Sequence, residues 1–132
     1  MPTMLFLVFI GNHSIFYQWN QSVRKHFCMH PQRFVELHCT NPARIFGLYP
    51  RKGSLIIGAD ADILVWDPQR EHTIRAATHH MRTDYNLYEG LRVRGAPTQV
   101  YQRGKLLVDG ARWLGQAGQG RYLHRGSGAP VL

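Results

Sequence analysis

Acidic residues are scarce in this 132-residue chain: eight Asp and Glu stand against sixteen Lys and Arg, a formal net charge of +8. Lysine is scarcer still, limited to Lys25, Lys52 and Lys105, so the surplus is arginine, spread from Arg24 to Arg125. Basic side chains gain affinity for nucleic acid by releasing counterions from phosphates. Here no basic run exceeds Arg24-Lys25 or Arg51-Lys52, and aromatics do not interleave with them at an RNA-binding spacing. A scattered solvated surface is expected, with no nucleic-acid partner. Cysteine is limited to Cys28 and Cys39, which form no CxxC pair and exclude a dense disulfide scaffold. Free thiols in a reducing, cytoplasmic setting are the expectation. No long hydrophobic run exists either. The longest, Met4 to Ile10, is too short to cross a membrane, lacks a basic flank and is followed by no small-x-small cleavage site. Neither a membrane partner nor a secretory leader is expected.

What is present fits one globular domain: 44% hydrophobic and 18% charged residues. Residues 1–30 show no clear period and remain unassigned. After Pro31, Phe34, Leu37 and His38 fall at helical spacing. Thr40-Asn41-Pro42 reads as a second helix start with a capping side chain, and Gly47 as its terminator. Two short helices back to back are therefore expected over residues 31–50. The pattern then changes. Leu55-Ile56-Ile57 and Ile63-Leu64-Val65-Trp66 are short apolar runs, ended by Gly58 and by Asp67-Pro68, and read as strands buried on both faces. Leu91-Arg92-Val93-Arg94 alternates, as a strand with one wet face does. Residues 100–102 and 105–108 flank Arg103-Gly104 at hairpin spacing, and Asp109-Gly110 forms a second turn. Residues 113–132 are a glycine-rich tail, read as a loop or a docking arm. The expected fold class is α+β: short helices, then a mainly antiparallel sheet over residues 51–112.

A specific resemblance joins these parts. Thr40-Asn41-Pro42-Ala43, followed by Lys52-Gly53-Ser54-Leu55-Ile56-Ile57-Gly58-Ala59-Asp60-Ala61-Asp62, resembles the closing segment of metal-dependent amidohydrolases. There a helix after the last barrel strand leads into a small β-sandwich. Ala77-Thr78-His79-His80-Met81, Asp84-Tyr85-Asn86, Tyr88-Glu89-Gly90 and Gly115-Gln116-Ala117-Gly118-Gln119-Gly120-Arg121-Tyr122 narrow the likeness to the dihydropyrimidinase and D-hydantoinase family, over about residues 31–125. The resemblance implies hydrolytic ring opening of cyclic amides by water activated between two zinc ions. It also implies half of a β-sandwich here, without the TIM-like barrel. The loop from Thr78 to Gly90 and the tail are implied to meet homologous subunits.

The chemistry that the family needs is not among these residues. No two histidines are separated by a single residue, so the His-x-His element is missing, and none of the three lysines suits a carboxylated-lysine strand. His26 and His30 have the spacing of a zinc helix, but Phe27 stands where a metalloprotease has its Glu. With His38 and Cys39 they make at most an adventitious zinc cluster. Adjacent His79 and His80 point apart on any regular element. No catalytic, cofactor-binding or metal-binding residue is therefore assigned. The chain reads as a truncated member of the family, inactive alone, with a stand-alone docking module as the alternative. Asp60 and Asp62 are expected to bond backbone at a strand entry, or else to be solvated. The apolar faces of residues 55–57 and 63–66 are expected to lack their partner layer, which makes the chain marginally stable and self-associating, although Met4 to Ile10 has the length to supply a substitute strand.

Overall fold

The computed structural model describes residues 5–8, 30–78 and 83–130. The described residues include a short strand, β1 (Leu5–Val8), and a helical run that starts at Pro31. The run comprises α1 (Pro31–Val35), a wide π turn (Glu36–Thr40) and α2 (Asn41–Ile45). The expected break at Thr40 does not occur. Thr40 has helical angles and makes no side-chain cap. The cause is Pro42, which has no N–H and whose ring would meet the carbonyl of His38 four residues back in a regular turn. Widening the turn, with the Asn41 N–H reaching Glu36 O, makes room for it without ending the helix. The Thr40 hydroxyl is thereby free to donate to Gly53 O at 2.9 Å. Phe34 is buried, and the His38 ring stacks on it at 4.2 Å while its Nδ1 lies 2.9 Å from Phe34 O.

Gly47 does end the helix. Its φ is +66°, its N–H donates to Arg44 O, and the N–H of Leu48 donates to Ala43 O, which together form a Schellman closure.

The remaining strands are β2 (Ile63–Thr73), β3 (Arg92–Gln102), β4 (Lys105–Asp109) and β5 (Arg112–Trp113). They form one antiparallel sheet in the order β1-β2-β3-β4-β5. The β3–β4 hairpin turns on Arg103 (φ +47°) and Gly104 (φ +76°), the two positive angles that a tight right-twisted hairpin needs. Asp67-Pro68 does not end β2, contrary to expectation. The Asp67 carboxylate accepts the Gln69 N–H at 2.8 Å, and the surplus residues form a bulge before pairing resumes at Glu71. Pro97 sits at the other irregularity in this pair, where the ladder can spare a donor. Arg92, Val93 and Arg94 alternate exposed, buried, exposed as expected.

Leu55-Ile56-Ile57 is not a strand. All three side chains are exposed at the tip of a turn in which Ala59 N–H donates to Ile56 O. By contrast Leu64, Val65 and Trp66 are buried, so the expected bare face of residues 63–66 is not found. Burying each such side chain is worth about 1.5–3 kcal/mol. The substitute strand is present: β1 pairs residues 5–8 with 66–63. The tail is an arm that returns to the helix end, where Gly126 N–H donates to Gly47 O at 2.8 Å and Ala129 N–H to Arg44 O at 2.9 Å. No helix among the described residues is long and apolar enough to cross a membrane.

Gly53 lies where the loop crosses the helical run. Its φ is +75°, and an added Cβ would sit 2.7 Å from both the Ala43 Cβ and the Cys39 carbonyl oxygen. Left-handed strain and overpacking together are expected to make Gly53→Ala cost about 2–4 kcal/mol. Urea unfolding followed by tryptophan fluorescence measures it.

Candidate functional site

The charged residues of the signature stretch converge on one point. Residues 51–60 form a loop whose ends meet, with Asp60 N–H donating to Arg51 O at 2.9 Å. Inside this closure lies Lys52, whose side chain is 9% exposed. Its Nζ donates to Asp60 Oδ2 at 2.9 Å and also to Asp62 Oδ2. Arg51 Nε adds a contact to Asp60 Oδ2 at 3.2 Å from the wet side. The second oxygen of Asp62 accepts the Arg103 backbone N–H at 2.8 Å, and Ala61 O accepts the Gly104 N–H at 2.9 Å. Arg103 in turn donates through its guanidinium to Gln119 O in the tail.

Burial pushes the Asp60 carboxyl up, but the hydrogen bond and charge of Lys52, with help from Arg51, outweigh it and hold the group below its ordinary value. The cluster has one buried cation and two carboxylates, with every group turned toward another group of the same chain. Through Asp62 it holds the backbone of the β3–β4 turn in place. The expectation that the two aspartates bond backbone at a strand entry holds for Asp62. The partner missed in the sequence is Lys52. A lysine eight and ten residues ahead of two aspartates, in a chain with only three lysines, was the available signal.

Of the other residues considered as ligands, His30 is exposed, His38 is engaged with Phe34, and Cys39 is buried. His26, Cys28, His79 and His80 lie outside the described residues. Among the described residues, no three His, Cys, Asp or Glu side chains gather as a metal ion requires. A shallow groove of about 390 Å³ runs along the far end of β2 and β3, lined by Glu71, His72, Thr73, Arg92, Val93 and Arg94. In it Glu71 faces Arg94 and Thr73 faces Arg92 across the ladder. The loop that follows β2 is tied at its base, where Glu89 accepts the Ala76 N–H at 2.7 Å and Gly90 N–H donates to Ile74 O. Tyr85 and Leu87 project from it into solvent.

A family model described as the Amidohydrolase family matches residues 10–107, which includes part of the segment left unassigned from sequence. The chain is 48% identical over 94 residues to a D-hydantoinase of Streptomyces coelicolor, covering 71% of this chain and 20% of that protein. It is 40% identical over 97 residues to a dihydropyrimidinase of Rattus norvegicus, covering 74% and 19%. A crystal structure of dihydropyrimidinase from Brevibacillus agri superposes with a TM-score of 0.80 at 38% identity, covering 86% of this chain and 24% of that one. The chain thus spans about a fifth of the length of the curated relatives it matches.

Removing Lys52 would leave two carboxylates facing each other with little water. Lys52→Ala is expected to cost about 3–5 kcal/mol, the usual penalty for breaking a buried pair from one side, read from chemical denaturation. Acid should loosen the same point. The stability that Asp60 contributes is complete above the ordinary carboxylate range near pH 4 and is lost as pH falls below it, through the lowered folded value. Stability measured from pH 6 to pH 2 is expected to fall less steeply in Asp60→Asn.

Proposed function

Because the chain belongs to the Amidohydrolase family, within its hydantoinase and dihydropyrimidinase group, we propose that it is the closing structural segment of a cyclic amidohydrolase. The reaction of the whole enzyme is hydrolytic ring opening of hydantoins or dihydropyrimidines, carried by residues outside this chain. One observation supports this above the others: the ionisable residues of the family signature, Lys52, Asp60 and Asp62, are engaged in holding a loop, a hairpin and the tail together. In this reading the helical run finishes the barrel side, and the five-stranded sheet is one layer of the family's β-sandwich.

The two zinc ions of the family reaction find no ligand set among the described residues. His30, His38, His72 and Cys39 make no three-membered group with each other or with a carboxylate among the described residues. No step through a metal is derived for this chain.

The exposed Tyr85 and Leu87, on a loop tied at its base, favour a second reading. In that reading the chain acts as a module that docks on a full-length homologue through the loop at residues 78–90 and the tail. The experiment is incubation of the purified chain with zinc and either hydantoin or dihydrouracil. No ring opening above a zinc-only blank is expected, and turnover would overturn the proposal. Retention of the chain by an immobilised full-length hydantoinase would support the second reading.

A further inference from the structure

Ile57 is the most exposed large hydrophobic side chain among the described residues, and Leu55 and Ile56 beside it are each more than half exposed. Building on the reading of the chain as a closing structural segment, we propose that this tip is a docking surface. Together with Ile45, Phe46 and Tyr49 at the adjoining helix end, it seats the remainder of a hydantoinase or dihydropyrimidinase chain.

Two hydrogen bonds set the tip beside the helix end. The Lys52 N–H donates to Leu48 O at 2.9 Å, and the Ser54 hydroxyl donates to Pro50 O at 2.6 Å. Ile45, Phe46 and Tyr49 are exposed on the helix side of these ties. Six of the twelve exposed large hydrophobics among the described residues therefore fall between residues 45 and 57. Charge borders them: the Arg44 guanidinium lies 4.9 Å from the centre of the Tyr49 ring, and Arg51 pairs with Asp60 at the base of the loop. Large apolar side chains gathered within a charged border mark a recognition surface.

The tip is also shaped before anything binds. Asp60 N–H and Arg51 O close the base of the loop, and Lys52 is held there between Asp60 and Asp62. At the tip, Ala59 N–H donates to Ile56 O at 3.1 Å, and Gly58 turns the chain with a φ of +94°. A loop closed in this way has little freedom left to lose on docking, so its aliphatic side chains serve as ready anchors.

The lengths of the relatives identify the occupant. The Brevibacillus agri dihydropyrimidinase superposes on 86% of this chain with only 24% of its own. The Streptomyces coelicolor D-hydantoinase matches 71% of this chain with 20% of its length. In both, the larger part of the polypeptide lies outside the shared fold and is joined to it. That larger part is a partner for which an apolar face on the shared fold has a use.

The test prepares the Streptomyces coelicolor enzyme in two tagged forms, intact and lacking the 94 residues that match this chain. Each is co-expressed with the full untagged chain. The chain is expected to be retained by the shortened form and not by the intact one, whose own segment already fills the place. Ile57→Asp in the chain is expected to weaken retention by about tenfold or more, the factor that burial of one aliphatic side chain supplies. Its urea unfolding stays unchanged, because the position is bare. Leu87→Asp, at another exposed position, is expected to change neither. Equal retention by both enzyme forms, or undiminished retention of the Ile57→Asp chain, would overturn the proposal and leave the closing-segment reading standing. Ring opening by the chain alone would overturn that reading itself. Self-association that Ile57→Asp abolishes would make a second copy the occupant, and it too would overturn the proposal. A fusion in which the full chain replaces the 94 residues decides the case where the shortened enzyme does not fold by itself. A soluble fusion whose thermal midpoint falls with Ile57→Asp is expected; an insoluble fusion, or an unmoved midpoint, would overturn the proposal.

Discussion

The structure depends on one buried ammonium. Lys52 is sequestered between Asp60 and Asp62, and from those two carboxylates the connections spread to the β3–β4 turn and, through Arg103, to the tail. A lysine with so little water is tolerated only when its charge is matched and its donors are occupied. The two aspartates satisfy it, and in doing so they bring together a loop, a hairpin and, through Arg103, an arm. The same cation explains why the apolar tip at residues 55–57 stands in solvent. The loop is closed at its base by charge, so its tip is carried outward whatever its composition.

Positions where backbone geometry leaves few options were legible from sequence. Gly47 had to end a helix and Arg103-Gly104 had to turn a hairpin, because each needs positive φ, and both occur there. The burial of residues 64–66 was legible for a similar reason: a run of consecutive large apolar side chains admits few exposed solutions. Leu55-Ile56-Ile57 has the same local pattern and the opposite fate. Periodicity could not separate them, since what decided was an ion pair reaching from Lys52 across the loop. Thr40 carried a helix-start signature that the widened turn around Pro42 overrode. Asp67-Pro68 carried a strand-end signature that a bulge absorbed.

The ion cluster was legible in part. The aspartate pair was visible in the sequence, while its partner was not, because a lysine ten residues away carries no local mark of burial. The resemblance located the aspartates within a known grammar, and the three-dimensional arrangement showed that Asp62 supports the hairpin backbone. The same arrangement explains why the signature Gly-x-x-x-x-Gly-Ala-Asp-Ala-Asp has glycine at its front: Gly53 lies against the Cys39 carbonyl with no space for a side chain.

The return of the arm to the helix end also orders events during synthesis. The Gly47 carbonyl is answered by the Gly126 N–H, and the Arg44 carbonyl, which already accepts the Gly47 N–H, takes a second donor from Ala129. A growing polypeptide therefore finishes its helix long before these two donors have been made. The sheet must form in between, and closing so long a loop brings an entropy penalty that the sheet reduces by holding the ends near each other. Clasping the helix end is thus a late event in the life of each new molecule, and until then water solvates the Gly47 carbonyl.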